Sequence, residues 1–201
     1  MSFFTPTTSL LLAAAYLLGS IPFGLILAKL LAGSDIRKSG SGNIGATNVA
    51  RVAGPAAGIF TLVLDAAKGM AAVWLAGQFT DQSSTAMTLA GVVALLGHCF
   101  PIWLKFKGGK GVATFIGVTT ALYWPVGLLV AASWLLAALV WRISSLSALI
   151  AIALSPAYFY VLSRHEYAPV AALLAVLIFY THRENIRRLL AGAEPRIGRA
   201  K

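Results

Sequence analysis

Carboxylates are scarce in this chain: six Asp and Glu stand against sixteen Lys and Arg in 201 residues, a formal net charge of +10. Charged residues of either sign make up only 11%, too few to cover a soluble domain. Cysteine is scarcer still, with Cys99 alone, which excludes a disulfide framework and a thiolate metal site. A lone thiol among apolar neighbours is read as packing, not as a nucleophile. The three histidines bring no carboxylate at catalytic spacing, because five residues after His98, His165 and His182 come Trp103, Val170 and Arg187. A His/Asp acyltransfer pair is therefore missing. A Gly-x-Ser-x-Gly elbow, a nucleotide P-loop and clustered metal ligands are missing as well, so neither metal nor cofactor is expected. Internal repeats of the kind that build inverted-repeat transporters are also absent.

Hydrocarbon is what the chain has in excess. Apolar residues reach 59% and mean hydropathy is +0.83, values of an integral membrane protein surrounded by lipid. The basic residues fall in short segments between apolar runs, which speaks for topology, headgroups and anionic substrates and against nucleic acid. Met1 to Ser9 lack a basic n-region, so the first apolar segment is expected to stay in the membrane. That segment runs from Ser9 to Ala32, about 36 Å as a helix. Further segments run from Pro55 to Ala76 and from Ala86 to Leu104.

Val112 to Trp141 is ambiguous, since Tyr123-Trp124-Pro125 either kinks one helix or separates two. If it is a hairpin of Val112 to Leu122 and Val126 to Trp141, fourteen Lys and Arg share one side of the membrane, Arg164 stands alone on the other, and Lys68 lies inside a span. If it is one helix, the partition becomes eight against seven. The positive-inside rule prefers the hairpin, at the cost of a first helix only about 17 Å long. Segments Leu146 to Leu162 and Ala168 to Tyr180 follow, the last continuing as an amphipathic extension through Leu190. The expectation is a single all-α domain, 1–201, of seven transmembrane helices. Its N-terminus is outside, and its basic tail, Arg196 to Lys201, is cytoplasmic.

Three polar islands then face one side: Lys38 to Arg51, Lys105 to Gly111, and Thr181 to Arg188. The first is rich in glycine, hydroxyl and carboxamide groups, flanked by Lys38 and Arg51, and has no carboxylate. Such an inventory suits an anion held by backbone N-H groups and a guanidinium. Lys110 sits among Gly108, Gly109 and Gly111 at the start of a short helix, where the dipole favours an anion. In the third island His182, Asn185 and Arg188 recur every three residues and can share one helix face, with Arg183 and Arg187 on another. Asp65 and Lys68, deep in the second span and three apart, are expected to form a structural ion pair. His98 is read as an interface residue, and His165 with Glu166 as solvated.

These islands resemble the bacterial integral-membrane acyl-phosphate glycerol-3-phosphate acyltransferases. The likeness rests on Ser41-Gly42-Asn43-Ile44-Gly45-Ala46-Thr47-Asn48-Val49-Ala50-Arg51, on Gly97-His98 with Phe106-Lys107-Gly108-Gly109-Lys110-Gly111-Val112-Ala113-Thr114, and on His182 through Leu190 with Gly192 and Glu194. The resemblance implies seven helices in a bacterial cytoplasmic membrane, with the site on the cytoplasmic face. It also implies transfer of an acyl chain from acyl phosphate to the 1-hydroxyl of glycerol 3-phosphate, giving lysophosphatidic acid and inorganic phosphate. Neither coenzyme A nor acyl carrier protein would be the donor, and a monomer is expected. Carried over as catalytic and phosphate-binding are Ser41, Arg51, Lys110, His182 and Asn185. Gly42, Gly45, Gly108, Gly109 and Gly111 would shape the pocket, and Asn43, Thr47, Asn48 and Arg188 join them as substrate-binding. The proton acceptor is left open between His182 and the donor's own phosphate.

Overall fold

The computed structural model describes residues 5–198, so Arg199 and Lys201 of the basic tail lie outside it. No strand occurs among the described residues. The chain divides after Leu122 into two compact units.

In the first unit, α1 (Pro6–Gly19) and α2 (Phe23–Ala32) replace the single helix expected over Ser9 to Ala32. Pro22 explains the difference, because it donates no hydrogen bond and disfavours helical backbone in the residue before it. Exposed carbonyls within a bilayer need donors from elsewhere. Trp103 Nε1 donates to Ser20 O and Lys68 Nζ to Ile21 O, each at 2.7 Å. After a 3₁₀ turn at Ile36–Lys38, the polar stretch is half helix: α3 spans Ala46–Ala53. Its apolar side, Val49 with Val52 and Ala53, packs on Ala28, Ile36, Ile44 and Ala57, burial that a run of glycine and polar residues does not advertise.

The longest helix, α4 (Pro55–Phe79), starts on a proline, and α5 (Ser84–Cys99) starts at Ser83, whose hydroxyl accepts from Ala86 N-H. The buried contacts of α1, α4 and α5 centre on Ala15, Ala72, Ala76, Ala90 and Ala94, side chains small enough for helices in lipid to approach closely. Pro101 ends this span in a 3₁₀ turn at Ile102–Leu104, and α6 (Val112–Leu122) closes the unit.

The second unit contains α7 (Trp124–Trp141), α8 (Ser144–Val161), α9 (Ala168–Thr181) and α10 (Arg183–Leu190). The stretch 112–141 is therefore two helices parted at Tyr123, with no helix running through it. Arg142, at φ 56°, turns α7 into α8, and Ile197 N-H donates to its carbonyl at 2.6 Å, so the segment after α10 folds back on that turn. By length and composition, five segments among the described residues can each cross a membrane: Pro6–Ala32, Pro55–Phe79, Ser84–Leu104, Trp124–Trp141 and Ser144–Val161. Val112–Leu122 and His165–Thr181 are shorter apolar helices.

Candidate active site

Asn48 organises the glycine-rich stretch. It stands in the first turn of α3, 2% exposed, and all its hydrogen-bonding groups point into the loop. Nδ2 donates to Ile36 O, Ser39 O and Asn43 O at 3.2, 3.0 and 2.9 Å, while Oδ1 accepts from Ser41 N-H at 2.8 Å. Gly40 lies against it at φ +61°, where a Cβ would collide with Asn48 Oδ1. Asn43 Oδ1 likewise accepts from Gly45 N-H at 2.8 Å, and Gly42 N-H donates to Ser39 O at 3.1 Å. The structure therefore differs from the expected cradle of backbone donors: the amides of Ser41, Gly42 and Gly45 are engaged within the loop. Asn48 and Asn43 are its scaffold. What projects outward is the exposed side chains of Lys38, Ser41, Thr47 and Arg51. Asp35 opens the turn before them, and the Arg37 guanidinium hydrogen-bonded to it at 2.9 and 2.7 Å holds its carboxyl at about 2.

The second island comes to the same end of this unit. Leu104 packs with Leu25, Val52 and Ala53 on the cluster of Ile36, Ile44 and Val49 beneath the first loop. Lys105 and Phe106 then adopt left-handed backbone, φ 52° and 60°. The chain returns along the end of α5, with Gly108 N-H donating to Cys99 O and Gly109 N-H to His98 O, both at 3.0 Å. Glycine at 109 answers to close approach, since a Cβ there would collide with the His98 ring. Lys110 follows, half-buried, two residues before α6.

Under this loop lies a polar cluster that the sequence reading had only in part. Asp65 and Lys68 do pair, Nζ to Oδ1 at 2.7 Å, both 3% exposed. His98 is buried beside them instead of at an interface, its Nδ1 3.7 Å from Asp65 Oδ1. The hint in the sequence was a histidine near the end of an apolar segment; nothing in its spacing named Asp65.

In the second unit the face expected on α10 is present. His182 and Asn185 are buried and Arg188 is half-buried, while Arg183 and Arg187 are exposed. His182 ends α9 and begins α10, with Nδ1 2.8 Å from Ile178 O. A carbonyl only accepts, so Nδ1 carries the hydrogen and the neutral ring's lone pair is on Nε2. Glu194 gathers the rest: Oε1 accepts from Asn185 Nδ2 at 2.5 Å and Ser145 Oγ at 2.7 Å, and Oε2 from Arg188 Nε at 2.7 Å. Burial works against its charge, but those three donors outweigh burial and hold the carboxyl below its ordinary value. Glu184 pairs with Arg187 at 2.9 Å. Ser145 escaped the sequence reading entirely, being forty-nine residues from its partner. His165 stacks on the Tyr160 ring at 4.6 Å.

The comparisons agree on one family. Residues 9–192 match the family described as glycerol-3-phosphate acyltransferase. The glycerol-3-phosphate acyltransferase of Dinoroseobacter shibae is 53% identical over 188 residues, 94% of this chain and 92% of that protein. That of Maricaulis maris is 52% identical over 199 residues, 96% and 91% respectively. Among solved structures, PlsY, an integral membrane glycerol 3-phosphate acyltransferase, matches in its glycerol 3-phosphate form with a TM-score of 0.90 at 40% identity, covering 96% of each chain. Its lysophosphatidic acid form matches with a TM-score of 0.89.

Proposed function

Because the chain belongs to the glycerol-3-phosphate acyltransferase family, we propose that it moves an acyl chain from acyl phosphate to the 1-hydroxyl of glycerol 3-phosphate. The hydroxyl oxygen bonds to the acyl carbon, the bond from that carbon to the phosphate oxygen breaks, and lysophosphatidic acid and inorganic phosphate leave. The reading takes the whole chain as one catalytic domain, since the family match runs through both units, and takes that domain to act as a monomer. It places seven spans in a bacterial cytoplasmic membrane with the N-terminus outside. The tail and site then face the cytoplasm, an orientation supported by the fourteen-to-one partition of Lys and Arg under the positive-inside rule.

The observation that carries this reading is where the carboxylates are. Of six, five are paired: Asp35 with Arg37, Asp65 with Lys68, Glu166 with Arg164, Glu184 with Arg187 and Glu194 with Arg188. The sixth, Asp81, stands in the turn between α4 and α5. Chemistry that needs a carboxylate base or nucleophile is poorly served by such a chain. An acyl phosphate, already an activated mixed anhydride, needs chiefly positioning and neutralisation of phosphate charge.

Lys110 and Arg51 hold the acyl phosphate and stabilise the departing phosphate in this scheme. Ser41 and Asn185 donate to the developing oxyanion. Gly42, Gly45, Gly108, Gly109 and Gly111 shape the pocket, with Asn43, Thr47, Asn48 and Arg188 binding substrate directly or by holding its neighbours. His182 Nε2 is one acceptor for the hydroxyl proton, and the donor's phosphate is the other; we favour the phosphate, because His182 is 3% exposed.

The test is phosphate release by purified protein given palmitoyl phosphate and glycerol 3-phosphate. Release should require both substrates and yield lysophosphatidic acid; none from folded protein in active lipid would sink the reading. Lys110→Ala should cost at least about a hundredfold in kcat and His182→Gln less than about tenfold. A larger loss at His182 would instead make the histidine the base.

A further inference from the structure

We propose that buried Asp65, Lys68 and His98 act together as a positioning device for Lys110, fixing the Gly108–Gly111 loop from below; the inference rests on the acyl-transfer reading above. Each member is 5% exposed or less in a chain surrounded by lipid, where an ionisable pair is expensive and is often replaceable by apolar side chains without loss of stability. Stability alone therefore accounts poorly for three polar groups here.

Their connections run in one direction. Lys68 Nζ is held from two sides, by Asp65 Oδ1 at 2.7 Å and by Ile21 O at 2.7 Å, a carbonyl at the break between α1 and α2. Asp65 in turn faces His98 Nδ1 at 3.7 Å. His98 then meets the loop twice: its carbonyl accepts from Gly109 N-H at 3.0 Å, and its ring occupies the place that a Cβ at Gly109 would need. The next residue is Lys110. A chain of contacts thus joins the broken first span to the backbone of the proposed phosphate-binding lysine, all inside the first unit. The same ring explains why the loop has its second glycine, which a turn alone would not require, since Gly109 lacks the positive φ of Gly111 at +92°. None of the three need touch substrate. They are positioning residues, and a positioning residue acts only through the group it positions.

Double-variant kinetics read that dependence. Purified parent, His98→Ala, Lys110→Arg and the double variant are compared by kcat/KM for phosphate release, with size-exclusion elution in detergent marking folded protein. His98→Ala is expected to lower kcat/KM about tenfold in the parent but less than about twofold in Lys110→Arg. A merely structural role would lower both backgrounds equally, and multiplied losses would overturn the proposal. Gly109→Ala, which drives a methyl into the ring, tests the same step from the other side. Its loss of about tenfold or more should likewise shrink in Lys110→Arg, and adding His98→Ala should make it no worse. If His98→Ala does not fold, the Gly109→Ala comparison decides alone, equal losses in both backgrounds counting against the device. A folded parent without phosphate release overturns the acyl-transfer reading and this inference with it, whereas an active parent with multiplied losses overturns only the inference.

Discussion

Glu194 accepts from Asn185, Ser145 and Arg188, and those donors hold its carboxyl below the ordinary value of 4.5 against the opposing effect of burial. A carboxyl depressed by folding contributes stability that is present above its unfolded value and lost as pH falls through the lower folded value. Glu194→Gln is therefore expected to melt below the parent at pH 7, with the gap closing as pH is lowered past about 4. Thermal midpoints in detergent over that range check it; a gap that persists in acid would mean that shape, not charge, carries the contribution. The partners of Glu194 were only half visible in the sequence. His182, Asn185 and Arg188 declared a shared face by their spacing of three, because a helix repeats on that interval. Ser145 declared nothing, since a contact across forty-nine residues leaves no local period. The direction of Asn48 had no sequence signal: a carboxamide in a glycine-rich loop looks the same whether it faces a ligand or, as here, four groups of its own loop.

The break between α1 and α2 shows what apolar patterning conceals at the level of elements. Segment lengths were readable because a bilayer of about 30 Å sets them, whereas Pro125 alone left kink and break open, and only the partition of Lys and Arg favoured two helices over 112–141. Pro22 lay inside a run long enough to pass for one helix, and only the donors reaching it from Trp103 and Lys68 identify the break as a held feature. Trp103→Phe keeps an aromatic ring, smaller than the indole, and removes the donor to Ser20 O. A cost on the order of 1–3 kcal/mol is expected for the carbonyl left without it, measured as a lowered thermal midpoint. Trp124→Phe, at a 63% exposed tryptophan with no such bond, is the control and should change little. Over α3 it is polarity that conceals a helix, since glycine and polar residues leave no apolar run to read. Val49 and Val52 have an apolar cluster to cover, and that burial draws the second half of the stretch into a helix.

For the whole molecule, membrane sidedness is the property on which the proposed orientation depends, and α7 offers the direct measurement. Cysteines at Pro125→Cys and Arg142→Cys bracket that helix, and the native Cys99 is buried and does not compete for a polar reagent. Position 125 should label from outside and position 142 from the cytoplasm; labelling of 142 only from outside would invert the second unit's spans and overturn the proposed topology. The proposed sidedness rests on charge partition, because insertion responds to Lys and Arg in short loops. The polar bonds inside the spans leave no such trace, and those of the first span bear on how the protein is made. The carbonyls of Ser20 and Ile21 enter the membrane with the earliest helices, ahead of Lys68 and well ahead of Trp103. Phe23 N-H already donates to Ile21 O at 3.1 Å, but Ser20 O waiting for its indole donor is a liability in lipid, and so is a lysine arriving without Ile21 O to receive it. Biogenesis of this half of the protein therefore cannot be a series of independent insertions: the first helix pair reaches its final state only when the third segment arrives to complete it.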